Sequence, residues 1–313
     1  MTDRRILEFA PGIEIRDYLS IDFPYTNLLE FNIDKDVLIF ANWLDADKLV
    51  EIDGLISSGA RYIFNNLWES NIDPAALRIL SKSNPKKGLI LNGYHSDTPL
   101  EGNIYVPMFF WFTESMKYKR PIIDNRLATK KFLLPLNRRR PIRDELIRKL
   151  NDQLDDSIYS YVERGRALPG DISPFDDRYY REEWYQDTCF SISVETEPTL
   201  KKGCVFLTEK TFKPLSCGHP FIVVGNPGSL KLLRKNGFKT FPELFDETYD
   251  EIESTSDRLA YIIAQIKKFD RSKMAMINET TKHNHQHFNN HSLIKDRMEK
   301  EIVDPIKRFI DES

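Results

Sequence analysis

Val37-Leu38-Ile39-Phe40-Ala41, Arg61-Tyr62-Ile63-Phe64 and Gly88-Leu89-Ile90-Leu91-Asn92 are short, nearly continuous apolar runs set a helix-length apart. Runs of this kind mark strands covered on both faces. Between the first two, Asp45 or Asp47 can cap a helix carrying Leu49, Ile52, Leu55 and Ile56 at helical spacing and ended by Gly59. Between the second and third, Asp73-Pro74 reads as a cap and first helical residue, opening a helix through Leu77 and Leu80. The β-α-β-α-β order predicts a parallel sheet with right-handed crossovers. Ile104 to Phe112 is aromatic and apolar and reads as a strand plus buried loop, whereas the first 35 residues carry no clear pattern.

A second series starts near Lys130. Lys131-Phe132-Leu133-Leu134 is a strand, and Asn137-Arg138-Arg139-Arg140-Pro141 leads into a helix buried through Ile142, Leu146, Ile147 and Leu150. Further strands are predicted at Ile158 to Val162, Cys189 to Val194 and Phe221 to Val224, with a long loop from Arg164 to Tyr185. Thr208 caps a short helix ended by Gly218, Ser229 caps another closed by Gly237, and Asp257 opens a longer one. Ser292 to Ile310 is helical, with a kink expected at Pro305. The expected architecture is α/β, two Rossmann-like doubly wound units facing a cleft: residues 1–125, residues 126–290, and a terminal helix over 291–313 packing back on the first. Ligands in such folds bind outside the carboxyl ends of the strands.

The chain has 313 residues, 45 basic against 48 acidic side chains and a formal net charge of −3, with 41% hydrophobic and 30% charged residues. That balance excludes wholesale disorder and a basic nucleic-acid coat. The apolar run Val106 to Phe112 falls far short of the roughly 20 residues of a membrane helix, so no membrane span is expected. Three cysteines, Cys189, Cys204 and Cys217, show no paired metal spacing and suit a reducing cytoplasm.

Chemistry concentrates in Phe206-Leu207-Thr208-Glu209-Lys210-Thr211-Phe212-Lys213-Pro214-Leu215. A capped helix start presents free N–H groups and a positive dipole end to a phosphate. Lys210 adds a point charge, and Glu209 can accept hydrogen bonds from two ribose hydroxyls. Glu195, directly after a buried strand, is expected to face the cleft. Three arginines at a strand's carboxyl end, Arg138, Arg139 and Arg140, make a diphosphate clamp, a solvated basic loop or a nucleic-acid backbone contact.

These segments carry a resemblance. A strand from Phe190 to Glu195, then Thr208-Glu209-Lys210 opening a helix, then Pro220 to Gly225 resembles the donor-binding motif of the α-1,3-fucosyltransferases, with Thr196 where that family has Asn. The Asn137-Arg138-x-Arg140-Pro141 segment, the Glu209-Lys210-Thr211-x-Lys213-Pro214 helix and the Gly225-x-Pro227-Gly228-Ser229-Leu230 turn are similar to glycosyltransferase-like proteins of tailed phages and large DNA viruses. The resemblance covers about residues 130–290. It implies a glycosyltransferase of the two-Rossmann (GT-B) type, inverting and metal-independent, with no cofactor beyond a GDP- or UDP-linked sugar donor. Glu209 then contacts ribose, Lys210 the diphosphate, and one of Arg138, Arg139 or Arg140 a phosphate, with Arg143, Glu195 and Thr208 completing the donor set. The acceptor is a glycan or glycoprotein hydroxyl, or in the viral case a base in DNA. An inactive nucleotide-sugar or glycan-binding module is a further alternative. If the chain is viral, its cytoplasm is that of the host.

Acceptor activation needs a general base. Candidates at strand ends of the first unit are Asp45, Glu69, His95 and Asp97, with Asp97 favoured in the polar loop Gly93-Tyr94-His95-Ser96-Asp97. Asp45-Ala46-Asp47 matches a metal-holding Asp-x-Asp pattern, but its position at a helix start favours capping. His283, His285, His287 and His291 read as a polar helix end rather than a zinc site, because alternate helical residues point apart. Trp43, Trp68, Trp111 and Trp184 offer stacking surfaces, with core packing favoured for Trp111.

Overall fold

The computed structural model describes residues 5–9, 26–42, 44–69, 71–124, 127–168, 180–200 and 202–311. Trp43, much of the expected long loop (169–179) and much of the unpatterned start (10–25) lie outside the described residues. The chain divides into two compact units, one up to Thr113 joined by the segment from His291, the other from Glu114 to Asn290. Among the described residues no helix is long and apolar enough to cross a membrane.

In the first unit five parallel strands, β1 (Ile6–Phe9), β2 (Val37–Ala41), β3 (Arg61–Asn66), β4 (Gly88–Asn92) and β5 (Asn103–Tyr105), lie side by side in chain order. Ile39 pairs with Ile63 and Ile63 with Leu89. This corrects the doubly wound expectation for this unit. Right-handed crossovers that always advance the same way leave their helices on one face. Helices α1 (Ala46–Ser57) and α2 (Pro74–Lys82) share that face, packing Ile52, Ile56, Ala76 and Ile79 on Leu38, Phe40, Tyr62 and Phe64.

The alternate residues Ile6, Val37, Ile39 and Ile63 point the other way and are equally buried. Arg61 shares their face. Its guanidinium donates to the carbonyls of Phe309 and Ile310 and lies 4.2 Å over the Phe309 ring, which puts the C-terminal segment on that side. The segment from His291 thus contributes to the side of the sheet that crossover helices would cover in a doubly wound fold.

Residues 104–112 correct a second expectation. β5 ends at Tyr105, and Phe109–Lys117 form helix α3, in which Phe109 to Ser115 are all buried. Its first turn, Phe109 to Phe112, is apolar on every side and shows no periodic polar face, so that stretch resembles a buried loop.

The second sheet reverses direction. Its strands β6 (Lys130–Leu136), β7 (Ser157–Tyr161), β8 (Thr188–Val194) and β9 (Phe221–Val224) are parallel and lie in the order β9-β8-β6-β7. β7 is laid on one side of β6 and β8 on the other, so the switch in winding falls between β6 and β8. Around the sheet lie α4 (Pro141–Lys149), α5 (Glu182–Gln186), α6 (Glu209–Ser216), α7 (Ser229–Lys235), α8 (Thr255–Lys267) and α9 (Asn278–Phe288). α5 occupies the end of the expected long loop.

Two caps differ from expectation. Gly228, at φ +81°, caps α7, and Ser229 is its first residue, donating from Oγ to Asn226 O at 2.7 Å. Ser254, not Asp257, caps α8 and accepts the Asp257 N–H. Beyond α10 (His291–Met298), the interruption expected at Pro305 takes the form of a π-helical turn over Glu299–Val303, before α11 (Asp304–Asp311). Proline cannot donate to the helical ladder, which is reset one turn ahead of it.

Candidate functional site

At the switch point of the second sheet the carboxyl ends of β6 and β8 and the first turns of α4 and α6 enclose a cavity of about 310 Å³. That is the size range of a small-ligand site, at the position where parallel α/β sheets bind ligands. Pro135, Leu136, Ile192, Trp184 and Tyr185 supply apolar wall, and Ser160, Ser191 and Ser193 supply hydroxyls. The charged lining is Arg138, Arg143, Glu209, Lys210 and Lys213.

The first turn of α6 is built from behind. Thr208 takes an extended conformation, caps the helix by accepting the Lys210 N–H, and donates its hydroxyl to Glu195 Oε2 at 2.5 Å. Glu195 Oε1 accepts the Thr208 N–H at 3.1 Å and the Thr211 hydroxyl at 2.6 Å. Glu195 is therefore wholly buried, not in the cleft as expected. A buried carboxylate is tolerated here because three donors and a helix N-terminus meet it. Burial pushes its carboxyl up, while the Lys210 charge and the threonine hydroxyls work against that. Glu195 and Thr208 buttress the site and do not line it.

Glu209 and Lys210 emerge from this turn about one-quarter exposed and paired, Nζ to Oε1 at 2.7 Å. Lys210 Nζ also reaches the hydroxyls of Thr196 and Thr208. Burial works to raise the Glu209 carboxyl, but the Lys210 and Lys213 ammoniums outweigh it and hold it down at about 2. It therefore stays ionised and able to accept hydroxyl hydrogen bonds.

Arg143, on the first turn of α4, is 5% exposed. Its Nη1 donates to Arg138 O at 2.9 Å, whereas its Nε–H has no partner, and among the described residues no carboxylate pairs with it. Burial, with the nearby Arg140 charge, pulls the guanidinium down. Arg138 lines the cavity, but Arg139 and Arg140 do not. Arg139 reaches Asp144 at 3.1 Å, and Arg140 holds the N-cap position of α4 in extended backbone. The second and third arginines of the expected clamp thus leave the site, Arg139 turning to Asp144 and Arg140 serving as the helix cap.

Lys213 was not among the expected site residues. It lies four residues after Glu209 and three after Lys210, the spacing that shares one helix face, and this could have singled it out. Burial lowers its ammonium, opposed by the Glu209 and Glu114 carboxylates.

The general-base candidates belong to the other unit, where each follows the carboxyl end of a strand. Asp45 sits at the N-cap of α1 without a side-chain cap bond, 85% exposed and 3.9 Å from Lys48. Glu69, after β3, is half-buried. His95 and Asp97, after β4, form a pair, Nε2 to Oδ1 at 3.1 Å. Among the described residues no group of His, Cys, Asp or Glu is arranged to hold a metal ion. His283, His285 and His287 each donate a ring N–H to a backbone carbonyl, of Gly237, Arg120 and Asn236. Trp111 is buried, and Trp68 packs edge-on against Phe109 and Phe110.

Behind Ser191 lies His219, fully buried, accepting the Ser191 hydroxyl at Nδ1 (3.0 Å) and donating from Nε2 to Thr188 O (2.9 Å). Burial drops its pKa to about 4, with the backbone acceptors opposing. Unfolding frees the ring to titrate near 6.5, so between pH 6.5 and 4 only the unfolded chain binds that proton. Its contribution to stability is complete above about pH 6.5 and is lost as the pH falls to about 4, amounting to about 3 kcal/mol. Urea unfolding across this range should show that extra loss in the wild type and not in His219→Gln, whose amide offers an acceptor and a donor but does not titrate; parallel curves would refute the assignment.

Comparison with profiles of known protein families finds no match, and no curated protein matches the chain.

Proposed function

We propose that the cavity of the second unit binds the nucleoside diphosphate of an activated sugar. On this reading the protein is a glycosyltransferase of the two-Rossmann type, using a GDP- or UDP-linked sugar and transferring it, with inversion, to a hydroxyl of a glycan or glycoprotein. The observation that carries the reading is Arg143, a buried guanidinium with an unused N–H and no carboxylate partner, in a cavity that also holds Lys210 and Lys213 against the single carboxylate of Glu209. A buried charge without a counter-ion is costly, and an oligoanion is the ligand that removes that cost.

The chemistry follows from charge. Breaking the sugar–phosphate bond places negative charge on the departing diphosphate and positive charge on the sugar carbon. Arg143, Lys210, Lys213 and the positive dipole end of α6 would stabilise the former. Glu209, ionised, accepts two hydroxyl hydrogen bonds from ribose. An acceptor hydroxyl gives up its proton to a carboxylate or imidazole, for which Asp45, Glu69, Asp97 and His95 are the candidates; Asp97 is oriented to serve as partner to His95 rather than alone.

The test is thermal unfolding with millimolar GDP, UDP, CDP and ADP. A diphosphate at about 100 times its Kd adds roughly 2.7 kcal/mol and should raise the midpoint by several degrees. Lys210→Ala and Glu209→Ala should abolish the rise while remaining folded. If no diphosphate moves the wild-type midpoint, the assignment fails.

A further inference from the structure

Beside the cavity, the edge of the second sheet carries a cationic surface that diphosphate binding does not use. β7 is the outer strand, and after it the chain turns through Gly165 (φ +78°) and doubles back, the Tyr161 N–H donating to Arg166 O at 2.7 Å. This return sets Arg164 and Arg166 beside Arg138, Arg139 and Arg140 of the β6–α4 turn, and all five are exposed. Asp144 is the acidic centre, accepting from Arg139 (3.1 Å), Arg164 (2.8 Å) and the Tyr161 hydroxyl (2.7 Å). Glu163 is engaged by the Arg139 N–H. Among the described residues no carboxylate pairs with Arg138, Arg140 or Arg166. Among the described residues two carboxylates, Asp144 and Glu163, thus meet this group of five guanidiniums.

The arginines are not simply solvated. Arg166 lies 3.8 Å over the ring of Tyr159 and Arg164 lies 5.8 Å over that of Tyr161. Tyr159 and Tyr161 are two apart on one strand and so share a face. Arg166 is thus in stacking range of Tyr159, whereas Arg164 sits farther from its ring and donates to Asp144.

We propose that this edge binds single-stranded nucleic acid, the arginines taking phosphates and the Arg166–Tyr159 pair offering a surface on which a base stacks. The spread of charge along a strand edge fits an extended polyanion rather than a compact one. The stacking planes favour nucleic acid over an acidic glycan or a lipid headgroup, which have no rings to stack. The proposal stands apart from the diphosphate reading, since only Arg138 belongs to both surfaces.

The experiment is fluorescence anisotropy of a labelled oligothymidylate of about 15 nucleotides, a length that spans one such site. Four phosphate contacts give a log–log salt slope near −3, so affinity should fall roughly 50-fold from about 50 to 200 mM salt. Arg164→Gln with Arg166→Gln should lower the slope by about 1.4 and weaken binding roughly tenfold or more. Neither residue lines the cavity, so the midpoint shift caused by a nucleoside diphosphate should be unchanged in this double variant, which separates failure of one reading from failure of the other. Inorganic polyphosphate supplies charge without rings and should compete poorly at equal phosphate. A flat salt response, unaltered binding by the double variant, or polyphosphate competing as well as the oligonucleotide would each overturn the proposal.

Discussion

Glu195→Gln should destabilise the protein by about 3–5 kcal/mol and abolish nucleotide binding, although residue 195 touches no ligand. The carboxylate receives three hydrogen bonds at zero exposure. An amide has the same shape, but one of its two oxygens becomes an NH2 group. Turned one way the NH2 opposes the Thr208 N–H, donor against donor; turned the other it meets the Thr208 hydroxyl, which must then accept and leaves its own proton without the carboxylate partner. Each buried mispaired donor costs about 1–3 kcal/mol, and losing the anion at the helix N-terminus adds to this. Chemical denaturation reads the first effect. The second follows because Glu195 fixes Thr208, and Thr208 sets the helix start that aims Glu209 and Lys210 at the cavity. A variant within about 1 kcal/mol of wild type that still binds a diphosphate would show the buttress to be dispensable.

Arg120→Met is the second large effect. The Arg120 and Glu114 side chains are 4% and 7% exposed and meet at 3.0 Å, and Arg120 also donates to Ser216 and lies over the rings of Tyr118 and Tyr180. Removing the guanidinium strands a buried carboxylate, which costs about 3–5 kcal/mol at neutral pH. Burial already pushes the Glu114 carboxyl up, and Arg120 and Lys213 are what restrain it. Without Arg120 its folded pKa rises further above the unfolded value. Stability is then retained in acid and lost as the pH climbs through the raised value, so the deficit should shrink below the ordinary carboxylate range. Adding Glu114→Gln should recover most of the loss at neutral pH, a coupling of at least about 2 kcal/mol in a double-mutant cycle. Additive losses would mean that the pair does not interact.

Legibility followed the physics of each element. Residues 37–92 could be read because strands buried on both faces are continuously apolar and because Asp73-Pro74 marks a helix start without ambiguity; Asp73 does accept the Ala75 N–H. The succession of strands was readable, but their spatial order was not. Whether a crossover advances or reverses depends on which sheet face finds a partner, and for the first sheet that partner is more than 200 residues away from Arg61. In the candidate site the helix start at Thr208 was visible from its cap. The direction of Glu195 was not, since a carboxylate after a strand turns inward only when donors distant in sequence await it. The three arginines were visible as a group, but which of them enters the cavity is set by backbone dihedrals that composition does not carry.

The division of the first unit has a consequence for how the protein is made. Synthesis proceeds from the N-terminus, so all five strands of the first sheet leave the ribosome before Glu114, while the segment from His291 is made only after the second unit. At roughly 5–20 residues per second, translating the intervening second unit takes about 10–35 seconds. During that interval the face bearing Arg61, Val37, Ile39 and Ile63 lacks the contacts that Arg61 makes with Phe309 and Ile310. The second unit can close over its own core on emergence, while the earlier-made sheet waits for α10 and α11 to complete its unit. The unit synthesised first is the one completed last.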